Sequence, residues 1–249
     1  MLAKRFRCGN VFHVKQSEGL TETYVQDAIV GAAAAVGVAM PPLTEAQAAT
    51  LLQLALHVAS GGKRLGLTNY SSPRVVLERL IAPAVGASGW LDRAAPLRVV
   101  DIGAGTGAVG MTLAVLCPQW RLTMVDRREK ACRFIEILAL RFGLETVEVL
   151  QADGCKPRPP DLRFDGALFR AVASPRDDLA LAAGWVKPSG IAVVWTSAAK
   201  LEALENLPGW LFLGKRVVTG RNPWAVAGFS NRRDTDSCGK GCGLCARVG

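Results

Sequence analysis

The spacing of apolar residues divides the chain into a helical first part and an alternating second part. Apolar positions at helical spacing predict three early helices, over residues 21–38, from Thr44 and from Pro73. Thr44 and Gln47 have the spacing of a capping box, and Gly61 with Gly62 is expected to end the second helix. We therefore predict a small N-terminal helical cap over residues 1–92.

After residue 92 the pattern changes to short runs rich in β-branched residues. The predicted strands are 97–102, 121–126, 146–151, 164–169 and 191–196. The helical stretches between them are 107–117, 128–142 and 175–186. Strands that alternate with helices favour βαβ units, and therefore an α/β fold with a parallel, Rossmann-like sheet. Two further runs, 210–218 and 224–229, predict an antiparallel hairpin that closes the sheet. The sheet domain is expected to cover residues 93–230, and a Cys/Gly-rich tail to cover residues 231–249.

The composition is typical of a folded globular protein and is compatible with an anionic partner. Half of the residues are hydrophobic, which fits a sizeable core. The longest apolar stretch, from Ile29 to Met40, is too short to cross a bilayer, and no secretory signal is evident. We therefore expect a cytoplasmic protein that has no membrane partner. The net charge of +9 would suit binding to a polyanion such as nucleic acid. It would suit a basic enzyme without such a partner about equally well.

A glycine-rich segment, VVDIGAGTGAVG at residues 99–110, follows a predicted strand and opens a predicted helix. Gly103, Gly105 and Gly107 allow the backbone to turn tightly and to approach a ligand without an intervening side chain. The helix that follows presents unpaired N–H groups and the positive end of its dipole to that ligand. The spacing also satisfies the dinucleotide fingerprint, so the glycines alone do not identify the cofactor.

Three acids, each at a predicted strand end, favour S-adenosylmethionine as that cofactor. Asp101 precedes the first glycine by two residues, where methyltransferases commonly carry an acid. Asp126 ends the second strand, where a carboxylate can accept both ribose hydroxyls. Asp153 and Gly154 follow the third strand, where a side chain and a backbone amide can bind the adenine edge. A nicotinamide enzyme would also need groups that handle a hydride, and no such set is evident. We therefore predict a class I methyltransferase.

The segment from Leu97 to Pro175 resembles the GidB family of bacterial methyltransferases. The pieces that carry the resemblance are DIGAGTGAVG (101–110), VDRREKACRFIE (125–136), the strand 144–151 and FRAVASP (169–175). FHVKQ (12–16) is similar to a common start of such proteins, and we expect the natural chain to begin at Val11. The resemblance implies an enzyme that uses S-adenosyl-L-methionine to methylate N7 of a guanine in small-subunit (16S) ribosomal RNA. It also implies a partner that is the small subunit or its assembly precursor, and we expect a monomer.

The resemblance also assigns roles to individual residues. The cofactor positions of the family carry over to Gly103, Ala108, Asp126, Asp153, Gly154 and Arg170. Arg170 lies directly after the fourth predicted strand and is the candidate catalytic residue. A guanidinium there can hold the methionine carboxylate in a bidentate fork or stabilise the target base.

The chain departs from the family pattern on the side of the cleft where RNA is expected to enter. Ala108 and Val109 replace an aromatic residue or Leu followed by Pro. In the third cap helix, Arg79 replaces a His, and Ala82-Pro83 replaces an Asp-Ser pair. Thr196-Ser197 replaces a Lys-Gly pair after the fifth strand. Two alternatives therefore stay open: a methyltransferase for another RNA or a small molecule, and a cofactor-binding relative without catalysis.

The chemistry of the target favours a ring nitrogen. Guanine N7 has a free lone pair at neutral pH, so its methylation depends on positioning and needs no general base. The two histidines, His13 and His57, lie in the predicted cap and are expected to be structural. Methylation of cytosine C5 needs a positioned thiolate, and nothing in the sequence around Cys155 marks one. The candidate contacts for RNA phosphates are Lys63, Arg64, Arg127, Arg128, Lys130, Arg133, Lys156, Arg158 and Arg163.

The cysteines are scattered except in the tail. Cys238, Cys242 and Cys245 have a spacing that suits a thiolate metal site and that also occurs in radical S-adenosylmethionine enzymes. Those enzymes carry the motif near the start of a barrel, and a closed zinc site needs a fourth ligand that is not adjacent here. We expect reduced cysteines without a metal, and the spacing alone leaves metal binding open.

Overall fold

The computed structural model describes residues 19–156, 162–201, 204, 207–219 and 223–232. Within them lies a mixed sheet of seven strands, in the order β3-β2-β1-β4-β5-β7-β6. The strands are β1 Arg98–Ile102, β2 Arg121–Asp126, β3 Val147–Gln151, β4 Phe164–Arg170, β5 Val186–Thr196, β6 Trp210–Val218 and β7 Trp224–Asn231. β1 to β5 are parallel, and β7 is antiparallel to both β5 and β6. The predicted α/β sheet and its closing hairpin are confirmed.

The helices follow the predicted order, apart from a short helix after β5 that was not predicted. They are α1 Glu22–Ala35, α2 Glu45–His57, α3 Pro73–Val76, α4 Ala108–Leu116, α5 Glu129–Arg141, α6 Pro175–Ala182 and α7 Ala198–Leu201. Among the helices described, none is both long enough and apolar enough to cross a membrane. Between β4 and β5 the sequence prediction was wrong: α6 ends at Ala182, and β5 begins at Val186. The early part of β5 was missed because it is polar and irregular, with a left-handed Ser189 at φ 61°.

The start of α2 is the capping box that the sequence predicts. The Gln47 N–H donates to Thr44 Oγ1 (3.2 Å), and the Thr44 N–H donates to Gln47 Oε1 (3.0 Å). The side-chain amide of Gln47 also donates from Nε2 to the Val115 carbonyl (2.9 Å), so the start of α2 is held against the last turn of α4.

Gly61 and Gly62 do not end α2, contrary to the sequence prediction. The helix continues through a π-turn at Val58–Gly62. A Cβ at Gly61 would lie 2.9 Å from Phe134 Cε2, and one at Gly62 would lie 3.1 Å from Thr106 Cγ2. These glycines therefore allow the cap to approach the sheet closely. A pair of glycines in the sequence looks the same whether it ends a helix or permits such a close contact.

The third cap helix becomes irregular where it faces the sheet. After α3 it continues as a π-turn at Leu77–Ile81 and then as a 3₁₀ segment at Ala82–Gly89. Pro83 has no N–H, so it cannot donate the α-helical hydrogen bond that the Arg79 carbonyl would accept. The guanidinium of Arg170, at the end of β4, donates to that carbonyl and to the carbonyl of Leu80.

The cap and one face of the sheet share a continuous apolar core. It includes Leu51 and Leu54 from α2, Leu113 from α4 and Leu168 from β4, all of which are fully buried. The other face of the sheet packs around side chains such as Phe169 and Trp185. The predicted division into a cap over 1–92 and a sheet domain over 93–230 stays a prediction. FHVKQ, Val11, His13, Arg158 and the tail cysteines Cys238, Cys242 and Cys245 lie outside the described residues.

Candidate cofactor and methyl-transfer site

A cavity of about 220 Å³ lies at the carboxyl ends of β1 and β4, where the cap meets the sheet. It is lined by Leu67, Thr68, Leu80, Asp101, Gly103, Ala104, Gly105, Thr106, Ala108, Val109, Arg128, Arg170 and Ala171. A cavity of about 280 Å³ at the opposite ends of the strands contains none of the predicted site residues. The candidate site is therefore the smaller of these two cavities.

The structure brings some of the predicted residues to this cavity and leaves others beside it. Gly103, Gly105, Ala108 and Arg170 are among the lining residues. The other predicted positions, Gly107, Asp126, Asp153 and Gly154, are not among them. Of the positions that depart from the family pattern, Ala108 and Val109 line the cavity.

The glycine loop has the backbone that only glycine adopts readily. Gly103, Gly105 and Gly107 have φ angles of 69°, 61° and 72°. The N–H groups of Gly103 and Ala104 donate to the Val125 carbonyl, at 2.8 and 3.0 Å, which fixes the loop on β2. A Cβ at Gly103 would lie 2.8 Å from Val172 Cγ2, so the loop after β4 covers this glycine closely. Gly107 caps α4 and packs against Ile135.

Asp101, at the end of β1, is a buried carboxyl group that faces the cavity. Its Oδ2 accepts a hydrogen bond from the Gly110 N–H in α4 (3.0 Å). A Cβ at Gly110 would lie 3.0 Å from Asp101 Oδ2, which is tighter than an ordinary van der Waals contact, so glycine suits this close approach. Burial raises the pKa of Asp101 to about 7, and the negative charge of Asp126 adds to that rise. The Gly110 hydrogen bond and the positive charge of Arg170 act in the opposite direction.

Asp126, at the end of β2, is buried and accepts hydrogen bonds at both carboxylate oxygens. Oδ2 accepts from the Gly105 N–H (2.9 Å) and from Arg128 Nη2 (3.1 Å). Oδ1 accepts from the Arg128 N–H (2.9 Å) and from Arg128 Nε (3.1 Å). Burial alone would raise the pKa of Asp126, but the hydrogen bonds from Arg128 and Gly105 outweigh it and lower the pKa. Asp126 is therefore a carboxylate at neutral pH.

Arg170 lies between β4 and the cap. Its Nη1 donates to the Leu80 carbonyl (3.3 Å), and its Nη2 donates to the Arg79 carbonyl. Burial lowers the pKa of the Arg170 guanidinium to about 10, so the group keeps its charge at neutral pH. The next residue, Ala171, has a left-handed backbone with φ 55°, which is uncommon for a residue other than glycine. Such strain is often found at functional sites.

The turn that contains Asp153 and Gly154 lies beside the end of β1. A Cβ at Gly154 would lie 2.8 Å from Ile102 Cγ2. The Trp185 indole N–H donates to the Gly154 carbonyl (3.0 Å), which holds the turn against the sheet. The Cys155 N–H donates to Asp153 Oδ1 (3.0 Å) and lowers the pKa of that carboxyl.

The sequence reasoning missed two residues that shape the site. Arg128 was interpreted only as a phosphate contact, whereas the structure pairs it with Asp126. Asp178 is a buried carboxyl group of α6 that accepts a hydrogen bond from the Ala173 N–H (3.0 Å) and so holds the loop after β4. For Arg128, the sequence signal is its position two residues after an acid at a strand end, which does not determine the rotamer of the side chain. For Asp178 we found no signal in the sequence.

Several predicted phosphate contacts converge next to the cavity. Lys63, Arg64, Arg127 and Lys130 are exposed, and Lys130 Nζ lies 3.8 Å from the Cβ position of Gly66. The end of the second cap helix, with Lys63 and Arg64, and the segment that opens α5, with Arg127 and Lys130, therefore form one basic edge. Other members of the predicted set are engaged elsewhere: Arg133 pairs with Glu129 (2.6 Å), and Arg163 donates to the Ala183 carbonyl.

Replacing Asp101 with asparagine is expected to remove a pH dependence of stability. Because the folded state binds this proton more tightly than the unfolded state, the stabilisation is complete below about pH 4 and is lost as pH rises through about 7. Asp101→Asn should therefore be more stable than the parent at pH 8, by up to about 4 kcal/mol, and should lose this advantage at pH 4. Urea unfolding at several pH values measures the difference. Asp27→Asn, at an exposed position on α1, controls for net charge. A difference between the parent and Asp101→Asn that does not change with pH would contradict the burial argument.

The sheet order, the glycine loop after β1 and the acids at the ends of β1 and β2 define a class I methyltransferase. The model of the GidB family, described as rRNA small subunit methyltransferase G, matches residues 47–218. The chain belongs to the GidB family, and the predicted family is confirmed.

Two curated relatives illustrate this similarity, and both are named ribosomal RNA small subunit methyltransferase G. The protein from Marinobacter nauticus is 29% identical over 132 residues, which are 52% of this chain and 60% of the relative. The protein from Bordetella avium is 33% identical over 129 residues, which are 52% of this chain and 55% of the relative. The matched segments therefore span less than two thirds of the length of either relative.

A solved structure supports the fold. The coclaurine N-methyltransferase bound to N-methylheliamine and SAH has a TM-score of 0.51 and is 11% identical, with 84% of this chain and 93% of that chain covered. At this identity the similarity concerns the fold alone. Membership of a methyltransferase family implies a cofactor of the S-adenosylmethionine type.

Proposed function

We propose that this protein transfers the methyl group of S-adenosyl-L-methionine to N7 of a guanine in small-subunit (16S) ribosomal RNA. The observation that carries the proposal is the single cavity where the GidB glycine loop, the Asp101 carboxyl and the Arg170 guanidinium meet. The names of the family and of its relatives support the ribosomal RNA and the small subunit as the target.

The residues at the cavity fit this cofactor. Gly103 and Gly105 line the cavity with backbone and no side chain, which suits close approach by a nucleoside. The Asp126 carboxylate would accept the ribose hydroxyls, and the turn at Asp153 and Gly154 would bind the adenine edge. Arg170 would bind the methionine carboxylate, which suits a guanidinium that is charged at neutral pH. When bound, S-adenosylmethionine supplies an electrophilic methyl group on a sulfonium.

The protein would contribute mainly position to the reaction. Guanine N7 needs no proton removed before it attacks a methyl group, so the site needs an acceptor held in line and a cavity that excludes water. The Asp101 carboxyl is bonded to Gly110 and is not required as a base. The left-handed Ala171 and the neighbouring Val172 would form the wall against which the guanine is placed.

The RNA partner would bind along the basic edge at the start of α5. Lys63, Arg64, Arg127 and Lys130 are exposed there and can neutralise phosphates. The substrate would be the small ribosomal subunit or its assembly precursor. The protein would therefore act in the cytoplasm, and we propose that it does so as a monomer.

The expected result of deleting the gene is the loss of one 7-methylguanine from small-subunit ribosomal RNA. A guanine methylated at N7 is positively charged, so reduction and aniline treatment cleave the RNA there and primer extension maps the site. The wild-type gene should restore the cleavage, whereas the Asp126→Ala variant should restore it weakly. Identical cleavage patterns in the parent and the deletion strain would mean that the target is wrong, and the family assignment alone would stand.

A further inference from the structure

The Asp126 carboxylate is fully engaged by groups of the protein itself. It accepts two hydrogen bonds from backbone N–H groups, those of Gly105 and Arg128. It accepts two more from the Arg128 guanidinium, Nε to Oδ1 and Nη2 to Oδ2, each at 3.1 Å. The second pair is a bidentate fork that covers both oxygens, the strongest common geometry for a pair of arginine and carboxylate.

The fork leaves no acceptor position on the Asp126 carboxylate for a ligand. A carboxylate has about four lone-pair positions, and the four hydrogen bonds to Asp126 use them all. The two backbone bonds belong to the loops that form the site and can persist when a ligand binds. The two guanidinium bonds, one on each oxygen, occupy the positions that a ribose diol requires. Arg128 and a ribose therefore compete for the same two acceptors.

The Arg128 side chain is also placed where it can move. It is 41% exposed, whereas the Asp126 side chain is 4% exposed, so only one partner of this pair is fixed by burial. Arg128 lines the cavity, and its Nη2 lies 3.7 Å from the Cβ position of Gly105. Because Arg128 is the residue directly before α5, rotation of its side chain leaves the helix and both backbone bonds to Asp126 intact.

We propose that Arg128 is a positioning residue that holds the Asp126 carboxylate until a ribose takes its place. In the protein without cofactor, the fork keeps a buried carboxylate charged, paired and correctly oriented. When the adenosyl group binds, the guanidinium leaves Asp126 and turns towards solvent. This inference rests on the proposed function, because it requires the adenosyl cofactor.

Removing the fork is expected to lower the thermal stability of the protein and to raise its affinity for the cofactor product. Arg128→Met keeps most of the length of the side chain and removes the fork. The protein without cofactor should then unfold at a lower temperature, because Asp126 has lost a charged partner. Its affinity for S-adenosylhomocysteine should nevertheless increase by about three- to fivefold, the range expected when a partly exposed ion pair no longer has to be broken.

Salt provides a second readout. Added salt screens a partly exposed ion pair, so it should weaken the fork and increase the affinity of the parent protein for S-adenosylhomocysteine. The Arg128→Met variant has no fork to screen and should show no such increase. S-adenosylhomocysteine is the probe because it carries no sulfonium charge of its own.

Calorimetric titration of the full chain with S-adenosylhomocysteine, at low and at high salt, tests the proposal together with thermal unfolding. Arg133→Met is the matched control, because Arg133 also forms an ion pair on α5, with Glu129, but does not line the cavity. This control should leave the affinity unchanged. Tighter binding by Arg128→Met with loss of the salt effect supports the exchange, whereas unchanged or weaker binding overturns it and makes Arg128 either irrelevant to the cofactor or a direct contact. If the parent protein and Arg133→Met do not bind S-adenosylhomocysteine at all, the proposed function itself fails, which is a distinguishable result.

Discussion

Replacing Asp126 with alanine is expected to weaken binding of S-adenosylhomocysteine about 30-fold, or about 2 kcal/mol. The buried carboxylate lies at the end of β2 beside the glycine loop, where it would accept the ribose hydroxyls in charge-assisted hydrogen bonds. Loss of such bonds also leaves the ligand hydroxyls without their charged acceptor. Calorimetric titration of the folded variant measures the effect.

An exposed carboxylate on β3 provides the control for Asp126→Ala. Glu148→Gln removes one negative charge from an exposed position on β3, so it changes the overall charge without touching the cavity. Its affinity for S-adenosylhomocysteine should equal that of the parent. Thermal unfolding confirms that each variant is folded. A folded Asp126→Ala protein with parental affinity would show that the ribose is bound elsewhere.

Replacing Arg170 with alanine is expected to lower the rate of methyl transfer at least tenfold, about 1.4 kcal/mol of transition-state stabilisation. The guanidinium lies at the cavity beside Asp101 and is charged at neutral pH. The same change should lower the free energy of unfolding by about 1–3 kcal/mol, because the carbonyls of Arg79 and Leu80 lose their donor. The pKa of Asp101 should also rise further without this positive charge.

The two effects of Arg170 can be separated. Rates are measured per folded molecule, at a temperature where unfolding curves show that the variant is native. Arg176→Ala removes an exposed arginine from α6 and is expected to change neither rate nor stability. Arg170→Lys keeps the charge but not the planar fork, so it should recover part of the rate. A variant of Arg170 that is less stable but has the parental rate would limit this residue to a structural role.

The sequence predicted the sheet because its strands are short, apolar and regularly separated by helices. It also placed the glycine loop, Asp101 and Arg170 at the ends of predicted strands, and the structure brings them to one cavity, since the carboxyl ends of parallel strands lie at one edge of a sheet. The strand positions depend on periodicity and topology, which the order of residues contains directly, whereas the role expected of Arg170 depends on the resemblance to the GidB family.

The features that the sequence did not predict depend on contacts between distant segments. Gly61 and Gly62 were interpreted as a helix end, whereas Phe134 and Thr106 are the residues that require them. No local pattern reveals that a Cβ at these positions would meet a distant side chain at 2.9 or 3.1 Å. The same holds for the pairing of Arg128 with Asp126, since the charge of a side chain is evident from sequence but its rotamer is not.

Pro83 has a consequence that reaches well beyond its own helix. Pro83 is one of the departures from the family pattern, and a comparison of sequences shows only that its side chain differs. Its main effect here comes from its missing N–H group. Because Pro83 cannot donate to the Arg79 carbonyl, that carbonyl accepts a hydrogen bond from Arg170 across the cleft. The orientation of Arg170 and the identity of residue 83 are thus coupled through the backbone. A relative with a different residue at this position would be expected to hold the same arginine differently, even with every residue of the cavity unchanged.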